Sequence, residues 1–199
     1  MNNKQAFAEI IQSSLSEWTA QCWSWDTPAT FGSLVACSNG TTQTFGIVHK
    51  IQTGSMDPAR HPIAYQKTEE ELLKEQPQIF EFLQTTFTCI TIGYQEQDKL
   101  FYHLPEVPPK IHAFVKNASN QECKTFFEQT DFLHLLFNSS HLISNLDELI
   151  LATLKQLQKK NLLQKNDLQN FIETFAMINK NDYQKLKTFL QRTNQLLSL

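Results

Sequence analysis

Leu100-Phe101-Tyr102-His103-Leu104-Pro105-Glu106-Val107-Pro108-Pro109-Lys110-Ile111-His112-Ala113-Phe114-Val115 is where the hydrophobic pattern of this chain changes. Proline fixes φ and has no backbone donor, so Pro105, Pro108 and Pro109 can continue neither a sheet ladder nor a helix. Before this turn the apolar residues recur in steps of two; after Lys116 they recur at helical spacing. Leu100–Leu104 is therefore expected to be the last strand of a barrel. Pro105–Pro109 is read as a clasp, and Lys110–Phe114 as an arm that closes the barrel. His112 then becomes a structural hydrogen-bonding residue rather than a catalytic one.

Upstream, Ser16-Glu17-Trp18-Thr19-Ala20-Gln21-Cys22-Trp23 alternates, with Trp18, Ala20 and Cys22 on one face. Ala6–Ser14 precedes it as a strand, with a bend at Ser13–Ser16. Phe31–Cys37 and Thr42–Ile51 form a hairpin signalled by Asn39-Gly40. Phe45, Ile47, His49 and Ile51 are expected to share a face, which makes His49 a packed or rim histidine rather than a ligand. Thr86-Phe87-Thr88-Cys89-Ile90-Thr91-Ile92 is β-branched and aromatic, a strand from Thr85 to Gly93.

Between these strands, residues 53–66 form a long irregular connection, and a loop of that length is often functional. Thr68 and Glu71 form a capping box for a helix, and Pro77 opens a second helical turn. Ser119 caps the first helix after the turn, and Asp131–Phe137 continues it. Three further helices carry Leu146, Leu149, Ile150, Leu154 and Leu157, then Leu168, Phe171, Ile172 and Phe175, then Tyr183, Leu186, Phe189, Leu190 and Leu197. The region begins at Asn145, and the second and third of these helices are expected to be capped by Asn166 or Asp167 and by Asn181 or Asp182.

The fold class expected is α+β: a small, closed or partly open, six-stranded antiparallel-rich β-barrel followed by a C-terminal α-helical region. Residues 1–116 form the barrel with a helical insertion near 68–84, and residues 117–199 form the helical domain. Fifteen Phe in 199 residues suggest an aromatic core.

Composition restricts function. The net charge is −3 and Arg60 and Arg192 are the only arginines, so nucleic acid is a disfavoured partner. Cys22, Cys37, Cys89 and Cys123 contain no C-x-x-C pair, which predicts buried free thiols, no metal site and a cytoplasmic location. No run approaches the roughly 20 apolar residues of a membrane span. Five glycines at 32, 40, 46, 54 and 93 compose no phosphate-binding loop, and H-E-x-x-H and G-x-S-x-G are absent. No catalytic residue, metal or cofactor is assigned, and the chain is expected not to be an enzyme.

Ile10–Cys22 and Phe31-Gly32-Ser33-Leu34-Val35 resemble the opening strands of the HAS barrel, shared by the DNA translocase HerA and F-type ATP synthase subunits. Gln76-Pro77-Gln78-Ile79-Phe80, Leu104–His112, Asp131-Phe132-Leu133 and Asp182–Leu186 resemble stand-alone proteins of this type from cyanobacteria. The resemblance implies a six-stranded barrel that, in the motors, sits beside an ATPase core and helps ring assembly. This chain has no motor, so no ATPase activity is carried over.

The function expected is protein–protein interaction or self-association. Candidate contact residues are Met56, Asp57, Arg60, His61 and Tyr65 in the long loop and Pro105, Val107, Pro108 and Pro109 in the clasp. Exposed prolines and aromatics on a rigid turn can dock with little loss of ordering entropy. A nucleic-acid accessory role, resting on the lysines from Lys155 to Lys187, is the first alternative. An enzyme using His103, His112 or the Asp57/Arg60/His61 loop is the second.

Overall fold

In the computed structural model, residues 5–57, 59, 61–178 and 183–197 are described. Five long or medium strands come first: β1 (Ala6–Ser13), β2 (Glu17–Cys22), β3 (Leu34–Asn39), β4 (Thr42–Ser55) and β5 (Leu83–Glu96). Two short helices, α1 (Glu69–Glu75) and α2 (Gln78–Glu81), interrupt the chain between β4 and β5. β6 (Lys99–Phe101) and β7 (Phe114–Asn117) follow. The helices α3 (Asn120–Phe127), α4 (Phe132–Asn138), α5 (Leu146–Lys159), α6 (Lys165–Ile178) and α7 (Tyr183–Leu197) complete the fold.

The strand order is β2-β1-β7-β3-β4-β5, every pairing is antiparallel, and β5 returns to β2 through Trp18↔Cys89 and Ala20↔Phe87. Six strands thus close a barrel, as the alternating patterns predicted. The last barrel strand is not the one expected. Leu100 and Phe101 lie in β6, which pairs only with β5 and stands outside the barrel. β7 instead slots between β1 and β3 (Ala8↔Val115, Cys37↔Val115), so the last barrel strand lies beyond the prolines, at the end of the predicted arm. The reason lies in the turns. Gln97 and Asp98 both take positive φ and fold β6 straight back on β5, whereas the irregular segment from Pro105 to Ala113, which turns at Ile111–His112, carries the chain round to β1.

Side chains fill the barrel interior. Ala8, Ala20, Val35, Cys37, Cys89 and Val115 leave room for Trp18 and Phe87, whose rings meet edge to face at 6.5 Å. Gly46 makes this possible: a Cβ there would lie 2.8 Å from the Trp18 ring and 2.9 Å from Cys89 Cβ. Such contacts are too short for any other residue without local repacking.

The other face of β3, β4 and β5 is covered by helices. Leu34, Ala36, Phe45, Ile47, Ile90 and Ile92 share one core with Phe126, Phe132, Leu133, Leu136 and Leu149. β3 is therefore buried on both faces and reads as a continuous apolar run. The register shift at Phe45/Gly46 leaves the extra residue, Ile92, on β5, whereas the β-bulge at Val48/Lys50 adds His49 to β4 and changes its phase. Phe45 and Ile47 meet the helices, but Ile51 packs against the barrel interior, so the expected common face breaks at the second bulge.

Other boundaries shift for local reasons. Phe31–Ser33 is not strand: Gly32 has φ +76°, and a Cβ on it would lie 2.7 Å from the backbone of Ala152 in α5. In the β3–β4 hairpin, Asn39 pairs with Thr42, leaving Gly40 at φ +69° as the first of two turn residues. The caps at Thr68 and Ser119 form as predicted, both as complete capping boxes, and the structure adds Asn145 as the cap of α5. Asp167 is not a cap residue itself; its carboxylate accepts from the backbone N–H of Gln164, one residue before α6. Asn181 and Asp182 lie outside the described residues. Among the described residues no helix is long and apolar enough to cross a membrane.

Candidate docking site

β4 and β5 outrun the barrel. Residues 42–47 of β4 pair with β3, and residues 86–90 of β5 pair with β2, but residues 53–55 and 83–85 continue against each other alone. Their far end is a two-stranded ribbon. The loop that follows begins at Met56 rather than Thr53, because Thr53–Ser55 remain in the ladder. Loop, α1 and α2 are mounted together on the ribbon's end.

Threonines and aromatics anchor this excursion. Thr85 donates from Oγ1 to the Trp25 carbonyl at 2.6 Å, which leaves Thr53 as donor in the 2.7 Å Thr53–Thr85 hydroxyl contact. Trp25 stacks on Phe80 of α2 at 5.5 Å. The Thr68–Glu71 capping box fixes the start of α1, and Lys67 pairs with Glu75 at its end. Inside the loop, the Asp57 carboxylate accepts from Ala59 N–H at 2.9 Å, and Ser55 Oγ accepts from Asp57 N–H at 3.2 Å.

Ser55, His61, Tyr65, Ile79, Phe82 and Leu83 line a concavity of about 250 Å³. Met56, Ile63, Leu73 and Phe82 are 42–67% exposed. Scattered exposed apolar residues need no explanation, but several on one small excursion beside a concavity suit a contact surface. Residues 67–82 carry five glutamates against two lysines, so the surroundings are acidic.

The two predicted surfaces are far apart. Met56, Asp57, His61 and Tyr65 sit at the ribbon end, while Arg60 lies outside the described residues. The clasp sits at the opposite end of β4, beside the β1–β2 turn and the β3–β4 hairpin. There Ser13 Oγ donates to the Pro109 carbonyl at 2.6 Å and Asn39 Nδ2 to the Pro108 carbonyl at 3.5 Å. Pro105 and Pro109 are buried, and Val107 and Pro108 are exposed. The clasp therefore straps two turns together and leaves Val107 outermost.

The acid–base candidates do not converge. His103 Nδ1 faces the Leu104 carbonyl at 3.0 Å beside Tyr94 and Phe101. His112, at φ +67°, pairs with Glu9 on β1 and its backbone N–H bonds Ile10 O at 2.9 Å, the structural role expected for it. His61 alone of this group lines the concavity. His49 is buried and 3.0 Å from Glu17; burial pushes its pKa down against the pull of that carboxylate. All four cysteines are free and buried, and among the described residues no group of three His, Cys, Asp or Glu could hold a metal.

Sequence reasoning missed the contribution of α2. Ile79, Phe82 and Leu83 supply the apolar wall, and the clustering of Ile79, Phe80, Phe82 and Leu83 directly after Pro77 was its signal. A second exposed apolar group lies on the barrel wall: Ile11, Trp23, Ile111 and Phe114, with Trp23 and Phe114 edge to face at 5.3 Å. No protein-family model matches the chain, and no curated protein matches it.

Proposed function

We propose that this chain is a non-catalytic barrel-plus-helices protein that works by protein–protein interaction, docking through its ribbon end. One observation carries the proposal: Met56, Ile63, Leu73 and Phe82 are exposed on a braced excursion around the concavity that holds His61 and Tyr65. Stacking of Trp25 on Phe80 and the capping box at Thr68 hold this surface in place before binding. Preorganisation of that kind reduces the ordering cost of association. The filled barrel interior supports the same assignment, since Trp18 and Phe87 occupy the space a ligand would need. The barrel is assigned to the HAS type on the opening-strand resemblance and a six-strand closure consistent with it, and four buried free thiols favour a reducing compartment.

In-cell photo-crosslinking tests the assignment. A benzophenone side chain is placed at Ile63, at Val107 in the clasp, or at Ile111 on the barrel wall, in otherwise identical full-length protein. The expected result is a discrete adduct from Ile63 that disappears when Phe82→Asp is added. Adducts from Val107 or Ile111 alone would move the interface elsewhere and refute the ribbon end. No adduct from any position would refute the interaction role.

A further inference from the structure

The ribbon has an edge that nothing in the described structure pairs. Backbone groups of an antiparallel strand alternate in direction, so one hydrogen bond fixes the parity of the rest. Met56 N–H donates to Phe82 O at 2.8 Å, so Met56, Gly54, Gln52 and Lys50 turn their backbone groups toward β5. Ile51, Thr53 and Ser55 must then turn theirs away. The other end of the strand agrees: Val48 N–H bonds Ser33 O at 3.1 Å on the side away from β5, and the bulge at Val48/Lys50 inverts the phase in between. β3 pairs only up to Ile47, so beyond Val48 the side of β4 facing away from β5 is open. Among the described residues, the N–H and C=O groups of Ile51, Thr53 and Ser55 have no strand beside them.

Folded proteins usually blunt such an edge with proline, an inward charge or a bulge. Gln52-Thr53-Gly54-Ser55 has none of these, and a Cβ on Gly54 would meet nothing within 4 Å. An uncharged, sterically open run lies between Lys50 on one side and Asp57 on the other.

We infer that this edge pairs with the same edge of a second copy of the chain, across a two-fold axis at Thr53. The inference rests on the ribbon end being the docking surface and names its partner. Centred at Thr53, the antiparallel register places Thr53 opposite Thr53, and Ile51 opposite Ser55 twice. All outward-facing groups then meet outward-facing groups, which only registers of this parity allow. Charge agrees as well. Lys50 falls opposite Met56 of the second copy and diagonal to its Asp57, twice by symmetry, and no like charges are opposed. Threonine pairs across a sheet are favourable, and Met56, exposed at the end of the run, adds apolar area beside the ladder. Both copies use the same patch, so the contact closes as a dimer and does not propagate.

Sedimentation velocity with single-cysteine crosslinking tests this on the full chain. The expected result is a concentration-dependent species of twice the monomer mass. Thr53→Pro removes an N–H that the ribbon does not use together with the Thr53 hydroxyl; Thr53→Ala, which removes the hydroxyl alone, should leave the dimer largely intact, while Thr53→Pro keeps native circular dichroism and weakens the dimer by about tenfold or more. Thr53→Lys opposes two ammonium groups on the axis and should act the same way, with recovery in high salt. Thr53→Cys places thiols on residues about 5.5 Å apart at Cα, within disulfide reach, and should crosslink under mild oxidation. Lys50→Cys should not, because the two copies of that residue lie roughly 20 Å apart along the strands. The four native cysteines are buried and leave this readout clean. A monomer at every concentration overturns the inference. So does a dimer that Thr53→Pro leaves intact, or one that Lys50→Cys crosslinks as well as Thr53→Cys. A monomer that still gives an Ile63 adduct with a different protein overturns only the two-fold pairing and leaves the docking surface standing.

Discussion

Glu122 should control how the helical region is tied to the barrel, and its loss should be visible in acid. Its carboxylate accepts from Lys116 Nζ on β7 at 2.8 Å, from Gln43 Nε2 on β4 at 2.8 Å and from the backbone N–H of Ser119 at 2.7 Å. One side chain thus joins two barrel strands to the first turn of α3. Burial alone would raise its pKa, but the hydrogen bonds from Lys116, Gln43 and Ser119 outweigh burial and bring it from 4.5 down to about 2. At 1.36 kcal/mol per pK unit, that shift sets a ceiling of about 3 kcal/mol. The side chain is 21% exposed, and solvent screening reduces the expected value to about 2 kcal/mol. The folded pKa is depressed, so this stability is fully present above the unfolded value of 4.5 and is lost as pH falls toward about 2. Glu122→Gln keeps the shape and removes the charge. In urea titrations followed by circular dichroism, the variant should be destabilised by about 2 kcal/mol at neutral pH. Near pH 2 the wild-type carboxylate is about half protonated, and most of the difference should be gone. A gap that stays constant from neutral pH down to pH 2 would refute the electrostatic account and leave only a packing effect.

Three further outcomes follow from the core. Gly46→Ala drives a methyl into the Trp18 ring and Cys89, and should cost about 1–3 kcal/mol with a change in Trp near-ultraviolet signal; an unchanged midpoint would mean that the barrel interior is loosely filled. Phe175→Ala removes a fully buried ring stacked 4.1 Å from Phe189, and a loss of about 3–5 kcal/mol is expected by urea titration; a loss below 1 kcal/mol would show that α6 and α7 contribute little to the cooperative unit. His49, buried with its pKa held below 6.5, stays neutral in the fold while the unfolded chain takes up a proton. Stability should therefore fall as pH drops below 6.5, and a proton NMR titration placing its midpoint at or above 6.5 would refute this.

The elements were legible in the sequence because local physics determines them. Alternation of Trp18, Ala20 and Cys22 reported a half-buried strand, and Thr68 and Ser119 reported helix starts through side-chain caps that act within three residues. Strand partners were not legible, because pairing depends on where the chain travels between elements. Leu100–Phe101 and Phe114–Val115 look equally strand-like, and only the positive φ of Gln97 and Asp98 and the reach of the clasp decide which of them closes the barrel. Bulges are equally hidden. Nothing in Val48-His49-Lys50 announces an extra residue, yet it sends Ile51 to the opposite face from Ile47. Of the candidate contact residues, His61 and Tyr65 line the concavity. Pro109 and Pro108 offer their carbonyls to Ser13 and Asn39. The loop was chosen for its length and the clasp for its prolines, and neither property distinguishes a surface that binds from one that braces.

Bulge and ribbon are linked by one constraint, which accounts for where this fold can bind. A barrel of six strands is narrow enough that Trp18 and Phe87 fill it, so its axis offers no cavity of ligand size. Helices cover the outside of β3, β4 and β5. The clasp ties the end that carries the β1–β2 turn and the β3–β4 hairpin. At the opposite end, β4 and β5 are longer than their neighbours, and the bulge at Val48/Lys50 turns β4 so that Ile51 still caps the interior while the backbone beyond it leaves the barrel. Shortening β4 and β5 to the barrel's length would remove the open edge, but it would also remove the Thr53–Thr85–Trp25 contacts that hold the excursion. Length, edge and excursion therefore stand or fall together. Deleting residues 53–55 with their partners 83–85, which leaves the pairing of Phe87 with β2 intact, is the corresponding perturbation, and it should abolish both self-pairing and the Ile63 adduct, whereas Thr53→Pro should weaken both while leaving the excursion folded.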